Sequence, residues 1–370
     1  MDNKTLILIS TSIIGLSILI LGISIYFSSQ KISVSPLSNG TLENCSILVE
    51  SGKNAINLVF ISDKENAEKF SSFLRSISPF NNYSSFNIYY IPDYKPKCEI
   101  YKGVALLCYS KEILKKAASC PNDYIIVIQK EDPSIRSSEY MGVISINSNH
   151  QLTVLPHEFG HAFVNLAEEY TPAEIPQGSK NCQQKCENFN IKDGCYNGCS
   201  KDSYFRSIEN GIMRTLGSSN YGVFNEQLII EKLISKQVQK ITSNVIYEVQ
   251  QCKDQEYYLI EGNYSGSQIK VIEKSIESGC TGNGGSGPFT YQLELPNQII
   301  SGSEFNPEFI FTDVQLQNES EISGEIYSSD RPFILRIPII PNSKSIEILK
   351  DNQTMSRVLL SDIGARPCEN

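Results

Sequence analysis

Residues 157–170 read HEFGHAFVNLAEEY, and the fold and function of the chain are most directly indicated by this segment. It contains an H-E-x-x-H motif on a helix predicted over Leu152–Leu166. Because residues four apart lie one above the other on a helix, His157 and His161 can bind one metal ion together. Glu158 lies about 100° round the helix, where its carboxylate can act as a general base without binding the metal. The motif therefore predicts a catalytic metal site with Glu158 as its catalytic residue.

Two histidines do not complete such a site, since catalytic zinc sites have three protein ligands and leave the fourth position to water. In the pattern H-E-x-x-H-x-x-G-x-x-H, a glycine ends the helix and the third ligand follows three residues later. Asn165 is the candidate here for the helix-ending turn, because asparagine tolerates the left-handed conformation. Glu168 follows at the same interval and is the predicted third metal ligand, with Glu169 as the alternative. The remaining histidine, His150, lacks this spacing and is predicted to be a surface or capping residue.

A methionine turn is the second predicted part of the site. Met213 lies in the segment Asn210-Gly211-Ile212-Met213-Arg214 and is one of four methionines in the chain. A methionine turn below the metal gives such sites an apolar floor, and this role is predicted for Met213, with an ordinary core position as the alternative. Tyr170 and Tyr221 are candidates for stabilising a developing oxyanion, against simple packing.

The same segment resembles the signature of a known family. HEFGHAFVNLAEEY is similar to the immunoglobulin-A-peptidase family of metzincin-like zinc metallopeptidases, whose usual form is HEFGH, a short stretch with glycine, and Asp-Glu-Tyr. The segments INLVFISD (56–63) and FNEQ (224–227) are also similar, so the resemblance spans roughly residues 54–250. Asn165 stands where the family usually has glycine, and Glu168 stands where it usually has aspartate.

The resemblance implies a zinc endopeptidase that acts on protein or peptide substrates. Zn²⁺ would lower the pKa of its bound water and polarise the scissile carbonyl, and Glu158 would move the water proton to the leaving amine. Two alternatives stay open. One is a catalytically silent metzincin-fold protein that serves in surface binding or adhesion, and the other is a zinc hydrolase of a non-peptide bond. The presence of Glu158 favours the peptidase.

The N-terminal segment 5–27 is apolar and uncharged. Its 23 residues would span about 34 Å as a helix, which is enough to cross a bilayer, and it lacks the small-residue cleavage site of a signal peptide. We therefore predict an uncleaved single-pass anchor in the cell membrane, followed by a polar linker over residues 32–52. The chain has 41 acidic and 32 basic residues and a net charge of −9, and this balance argues against nucleic-acid binding.

Eleven cysteines in 370 residues predict an oxidising compartment, so the body of the protein is expected outside the cytoplasm. Four of them form two C-x3-C pairs in a predicted cysteine-rich insert over residues 180–200. The spacing predicts nested disulfides, Cys182 with Cys199 and Cys186 with Cys195. A structural zinc ion bound by the four thiolates is the alternative.

The rest of the chain predicts two structural units. An α/β domain is predicted over residues 53–255, because buried strand patterns alternate with helical patterns. The family resemblance implies that this domain is metzincin-like, with a mixed sheet and the active-site helix. A separate β-rich domain resembling a β-sandwich is predicted over 256–370, where short β-branched and aromatic runs alternate with turn residues. The strand predicted at Gly142–Ile146 either binds an extended peptide at an exposed edge or lies inside the sheet. The other predicted elements are strands at Ile56–Ser62, Phe86–Ile91 and Tyr124–Ile128 and helices at Lys64–Ile77, Lys111–Ala118 and about Asn225–Gln250.

Overall fold

The structure is a computed structural model, and it describes residues 42–363 apart from 54, 84–85, 190–193, 243–251, 283, 315–322 and 362. The predicted anchor over residues 5–27 and the first part of the predicted linker lie outside the described residues. Among the helices that the structure describes, none combines the length and the apolar character needed to cross a membrane.

The described residues form strands and helices throughout the chain. The helices are α1 (Lys64–Ser76), α2 (Lys111–Ala117), α3 (Val154–Val164) and α4 (Val223–Thr242). The strands are β1 (Ser46–Val49), β2 (Ile56–Ile61), β3 (Phe86–Ile91), β4 (Glu99–Tyr101), β5 (Ala105–Leu107), β6 (Tyr124–Gln129), β7 (Ser137–Tyr140), β8 (Val143–Asn147), β9 (Tyr196–Cys199), β10 (Lys201–Arg206), β11 (Glu256–Tyr264), β12 (Ile269–Ser278), β13 (Phe289–Glu294), β14 (Ile299–Phe305), β15 (Phe309–Val314), β16 (Ser323–Ser328), β17 (Phe333–Pro338), β18 (Ser345–Lys350) and β19 (Gln353–Leu359).

A mixed eight-stranded sheet forms the centre of the protein, with the strand order β1-β3-β2-β6-β8-β7-β15-β16. Strands β3, β2, β6 and β8 are parallel to one another, and they are the apolar runs predicted as buried strands. The outer strands on both sides are antiparallel to their neighbours. The predicted α/β fold with a mixed sheet is therefore confirmed.

Helices cover both faces of the parallel strands. Alternate side chains of β2, such as Leu58 and Phe60, pack with helices α1, α3 and α4 on one face. The intervening side chains, such as Val59, pack with α2 on the other face. Helix α1 begins where it does because Asp63 caps it: the Asp63 carboxylate accepts a hydrogen bond of 2.8 Å from the backbone N–H of Asn66. The predicted helices and strands of residues 53–255 are present, and the predicted extension of α4 to Gln250 lies outside the described residues.

The C-terminal part of the chain forms two further sheets. One has the order β12-β11-β17 and the other has the order β14-β13-β18-β19, and both contribute to one apolar core. The sequence predicts a separate domain over residues 256–370, but β15 and β16 leave these two sheets and join the central one. Because β15 pairs with β7, the end of the central sheet nearest to α3 is built from the C-terminal part of the chain.

Two further findings concern the predicted linker and strand β8. The described part of the predicted linker contains β1, which pairs with β3 and is held by the disulfide Cys45–Cys120. Strand β8, predicted over Gly142–Ile146, lies between β6 and β7. Its backbone hydrogen bonds are therefore used on both sides, so of the two alternatives the strand inside the sheet is the one observed and the peptide-binding edge is excluded.

Candidate metal centre

Helix α3 carries the H-E-x-x-H motif into the centre of the protein, where His157, Glu158 and His161 are all buried. The helix ends at Asn165, which has φ 55° and ψ 42°. This is the left-handed conformation that the sequence analysis assigns to the helix-ending residue. The following N–H, that of Leu166, donates to the carbonyl of Gly160, so the chain turns back beside the helix.

The two imidazoles of α3 are oriented by backbone carbonyls. Their Nε2 atoms are 3.2 Å apart. Nδ1 of His157 lies 2.8 Å from the carbonyl oxygen of Ile212, and Nδ1 of His161 lies 2.6 Å from that of Leu166. Since a carbonyl oxygen only accepts, each Nδ1 carries the hydrogen, and in the neutral ring Nε2 presents its lone pair. Both rings are therefore held in the tautomer that binds a metal through Nε2.

The structure brings Glu168, and not Glu169, to these imidazoles. Glu168 Oε1 lies 3.0 Å from Nε2 of His161, and Glu168 Oε2 lies 3.4 Å from Nε2 of His157. The Glu169 carboxylate instead accepts hydrogen bonds from the side-chain amides of Asn225, at 2.8 Å, and of Asn181, at 3.2 Å. Glu168 thus occupies the place of a third ligand, and Glu169 belongs to the packing behind it.

A fourth residue, Asp313 on β15, joins the group, although no motif in the sequence predicts it. Its Oδ2 lies 3.1 Å from Nε2 of His157 and 3.8 Å from Nε2 of His161. Its Oδ1 accepts a hydrogen bond of 2.7 Å from the phenol of Tyr170. The local signal in the sequence is an aspartate within the apolar run FIFTDV, where strand propensity disfavours it.

These four residues can hold a metal ion. Ligand atoms that surround one tetrahedral ion at about 2.0–2.1 Å lie about 3.3 Å from one another. The separations given above, from Nε2 to Nε2 and from Nε2 to carboxylate oxygen, run from 3.0 to 3.8 Å. One ligand atom from each residue lies within 4.8 Å of the others, and all four residues are buried. Two buried carboxylates need compensating positive charge, and a divalent cation supplies it.

The same carboxylates control the protons of the metal-free group. Burial lowers the pKa of His161. The negative charge of Glu168, together with the hydrogen bonds that His161 makes with Asp313 and Glu168, outweighs burial and raises the pKa to about 10. Burial also lowers the pKa of His157, and Asp313 and Glu168 together raise it well above its ordinary value. Protons therefore supply the positive charge in the metal-free protein, and a metal ion binds by displacing them.

Glu158 is buried beside this group without a partner. Neither of its carboxylate oxygens has a hydrogen-bond partner among the residues that the structure describes. Burial raises the pKa of Glu158 well above its ordinary value, and the charge of Asp313 raises it further against the opposing effect of the imidazoles. An unsatisfied buried carboxylate is destabilising, so its presence beside the ligands calls for a functional reason.

Met213 packs against helix α3 at Gly160. The methionine is fully buried, and a Cβ placed on Gly160 would come within 2.8 Å of its sulfur. Only glycine therefore allows this approach without a shift. The turn is closed by a hydrogen bond of 2.9 Å from the N–H of Arg214 to the carbonyl of Gly211, and the Met213 carbonyl accepts one of 2.9 Å from the N–H of Glu169. Met213 thus links the turn to the helix and to the bend that carries Glu168.

The cysteine-rich insert supports the backbone of Glu168. The nested disulfides Cys182–Cys199 and Cys186–Cys195 are present as predicted, which excludes the four-thiolate zinc site. Next to Cys182, the Asn181 side chain donates to the carbonyl of Ala167 at 2.8 Å and accepts from its N–H at 2.7 Å. The insert therefore fixes the chain directly before the third ligand. The remaining disulfides of the described residues are Cys45–Cys120, Cys98–Cys108 and Cys252–Cys280.

The other candidate residues of the sequence analysis lie at different distances from the group. Tyr170 is beside it, through its bond to Asp313. Tyr221 donates to the carbonyl of Pro156 and supports the start of the motif. His150 is outside the group, and its Nδ1 lies 3.1 Å from the Ser137 hydroxyl.

No family model matches the chain, and no curated protein matches it. The resemblance of residues 157–170 to the immunoglobulin-A-peptidase signature therefore stays a prediction that depends on the motif itself.

Proposed function

We propose that this chain is a zinc-dependent endopeptidase that cleaves protein or peptide substrates outside the cytoplasm and is attached to the cell membrane by segment 5–27. The two imidazoles and Glu168 offer the nitrogen and oxygen ligands that catalytic zinc sites use. The motif resemblance supports the peptidase reaction. The five disulfides of the described residues support an oxidising compartment.

The observation that carries the proposal is the unpartnered carboxylate of Glu158. A metal site that only stabilises the fold has no use for a buried acid next to its ligands. A hydrolytic site needs one, because a base must take the proton of the attacking water. The buried Glu158 carboxylate has no hydrogen-bond partner among the described residues, and its pKa responds to both imidazoles.

The mechanism follows from what each residue does. When bound, zinc lowers the pKa of a water molecule and polarises the scissile carbonyl. His157, His161 and Glu168 would hold the ion, and the carbonyls of Ile212 and Leu166 keep the two rings in the binding tautomer. Glu158 accepts the proton of the attacking water and passes it to the leaving nitrogen. The same carboxyl group therefore acts first as a base and then as an acid.

Metal analysis and hydrolysis test the proposal together. The purified full chain should contain one zinc ion, and Glu158→Gln should keep the zinc. Hydrolysis of an unfolded protein, followed by mass spectrometry of the fragments, should be absent in Glu158→Gln. Hydrolysis is measured in the native chain and in an Asp313→Ala chain, because Asp313 lies where the attacking water has to bind. A chain without zinc, or fragments that persist in Glu158→Gln, would contradict the proposal.

A second candidate function has one specific observation in its favour. Asp313 gives the group a fourth protein ligand, and closed four-ligand zinc sites are typical of structural metal centres. The chain would then be a catalytically silent surface-binding protein. Zinc without hydrolysis in both the native and the Asp313→Ala chains would favour this candidate.

A further inference from the structure

Strand β15 closes the candidate active site from the edge of the central sheet. It pairs with β7 through three residue pairs, from Phe311 with Glu139 to Asp313 with Ser137. Its other neighbour in the sheet is β16, so β15 and β16 form the outermost hairpin. The side chains of Phe311 and Asp313 on this hairpin are both buried against the ligand group.

Two side chains of β15 contact the ligand group directly. The ring of Phe311 stacks on the ring of His161, with centroids 4.2 Å apart and an interplanar angle of 17°. Asp313 places Oδ2 at 3.1 Å from Nε2 of His157. A substrate carbonyl and an attacking water would need this same space. We call β15 seated when it is paired with β7 in this way, and its position there is the seat. With β15 seated, the ligands are available to a metal ion but not to a peptide.

A glycine in β16 allows the hairpin to pack closely beside Asp313. Gly324 of β16 lies opposite Asp313 in the strand register. A Cβ on Gly324 would overlap with Oδ1 of Asp313 and with the phenol oxygen of Tyr170. A side chain at position 324 would therefore push Asp313 and Tyr170 from their places. The glycine allows the hydrogen bond between Tyr170 and Asp313, which aims the second carboxylate oxygen at the imidazoles.

The charge of the site favours the seated hairpin. Zinc bound by two neutral imidazoles and Glu168 leaves one net positive charge in a buried pocket. The carboxylate of Asp313 cancels this charge, and an uncompensated buried charge is strongly destabilising. A ligand from the same chain also competes at a high effective concentration.

The geometry points to an inhibitory role for the β15–β16 hairpin: Asp313 serves as an exchangeable fourth ligand that keeps the peptidase latent until the hairpin leaves the edge of β7. This inference depends on the proposed peptidase function and adds its regulation. A hairpin that is seated in about 90 % of the molecules would lower the apparent activity about tenfold. Removal of the seat in such a population should therefore raise hydrolysis about tenfold.

Cobalt(II)-substituted full chains test this role without relying on activity. The visible absorption of cobalt reports its ligands, and acetohydroxamate is the probe for an exchangeable position. The spectrum of the native chain should not respond to the probe. The spectra of Asp313→Ala and Gly324→Ala should respond. Gly324→Ala keeps the Asp313 carboxylate in the chain and only displaces it, so the pair separates loss of a ligand from loss of the seat. Ser328→Ala, on the same strand but exposed and away from Asp313, is the matched control and should behave like the native chain.

Hydrolysis by the zinc-loaded chains completes the test. Faster hydrolysis in Asp313→Ala or Gly324→Ala, abolished by an added Glu158→Gln, supports the inhibitory hairpin. An equal cobalt response and equal hydrolysis in all chains overturn it and leave the peptidase intact. A cobalt response confined to the two variants, without hydrolysis in any chain, overturns the peptidase and the inhibitory role with it. If Gly324→Ala does not fold, the rate of hydrolysis by Asp313→Ala relative to the native chain decides between these outcomes.

Discussion

The candidate site is assembled from two regions that differ in how the sequence specifies them. The first region, helix α3 and the bend after it, delivers three ligands from residues 157–168. The second region, strand β15, delivers Asp313 from a position far along the chain. Helical periodicity determines the first region locally, whereas the order of strands in the sheet determines the second. The local region offers three candidate ligands, the number typical of catalytic zinc sites, and the distant region adds a fourth, the number typical of structural sites.

The largest expected effect is on zinc affinity, to which the two regions should contribute unequally. His161→Ala should lower zinc affinity by at least about a thousandfold, because it removes one of the three local ligands and leaves two buried carboxylates with His157 as their remaining imidazole partner. Asp313→Ala should keep one zinc per chain. Competition with a chromogenic chelator measures both affinities.

His150→Ala is the control, because His150 lies outside the group and should leave zinc affinity unchanged. If Asp313→Ala lost zinc as completely as His161→Ala does, the distinction between a local catalytic region and an exchangeable distant ligand would be wrong.

Glu168 and Glu169 are adjacent, and comparing their variants tests which residue of the bend binds the metal. Glu168→Gln should lower zinc affinity by about a hundredfold, because an amide oxygen replaces a charged ligand. Glu169→Gln should change it little, since the Glu169 carboxylate binds Asn181 and Asn225 instead of facing the imidazoles. Both residues are fully buried, so the pair is matched in burial and side-chain size. Equal losses in the two variants would mean that the bend tolerates either residue as the ligand.

The sequence predicts most of the local region and almost none of the distant one. The spacing of His157 and His161, the turn at Asn165 and the interval to Glu168 are all properties of consecutive residues. The parallel strands are likewise visible as apolar runs. The position of β15 depends on which edge the hairpin joins, and its alternating apolar pattern is equally compatible with a separate β domain. Asp313 therefore joins the candidate metal group only through the fold, although an aspartate in the apolar run FIFTDV is unusual in itself.

The insert that supports Glu168 gives the next prediction. Joint Cys182→Ser and Cys199→Ser substitution opens a disulfide with a sequence separation of 17, and the free energy of unfolding should fall by about 3 kcal/mol. Zinc affinity should fall with it, because the clamp of Asn181 on Ala167 is held in place by this disulfide. Denaturant unfolding and chelator competition measure the two effects. Joint Cys98→Ser and Cys108→Ser substitution, which opens a disulfide outside the insert, is the control and should lower stability without lowering zinc affinity.

The smallest expected effect concerns the boundary between the two regions, at Glu139. This residue lies on β7 opposite Phe311, and its Oε1 accepts a hydrogen bond of 2.8 Å from the N–H of Gly142. Burial raises the pKa of Glu139 to about 7, against the lowering effects of that hydrogen bond and of His161. The folded state thus holds the proton more tightly than the unfolded chain, whose glutamate pKa is about 4.3.

The sign of the pH dependence follows directly. The contribution of Glu139 to stability is fully present below about pH 4 and is lost as the pH rises through 7, by about 2 kcal/mol between about pH 5 and pH 7. Unfolding of native and Glu139→Gln chains in the same metal state should differ by this pH-dependent amount, since glutamine keeps the acceptor for Gly142 and carries no charge. The difference should shrink in the Gly324→Ala background, where an unseated β15 exposes Glu139 to water. A difference that is unchanged by Gly324→Ala would show that β15 stays seated without its glycine, and the two regions would then form one inseparable unit.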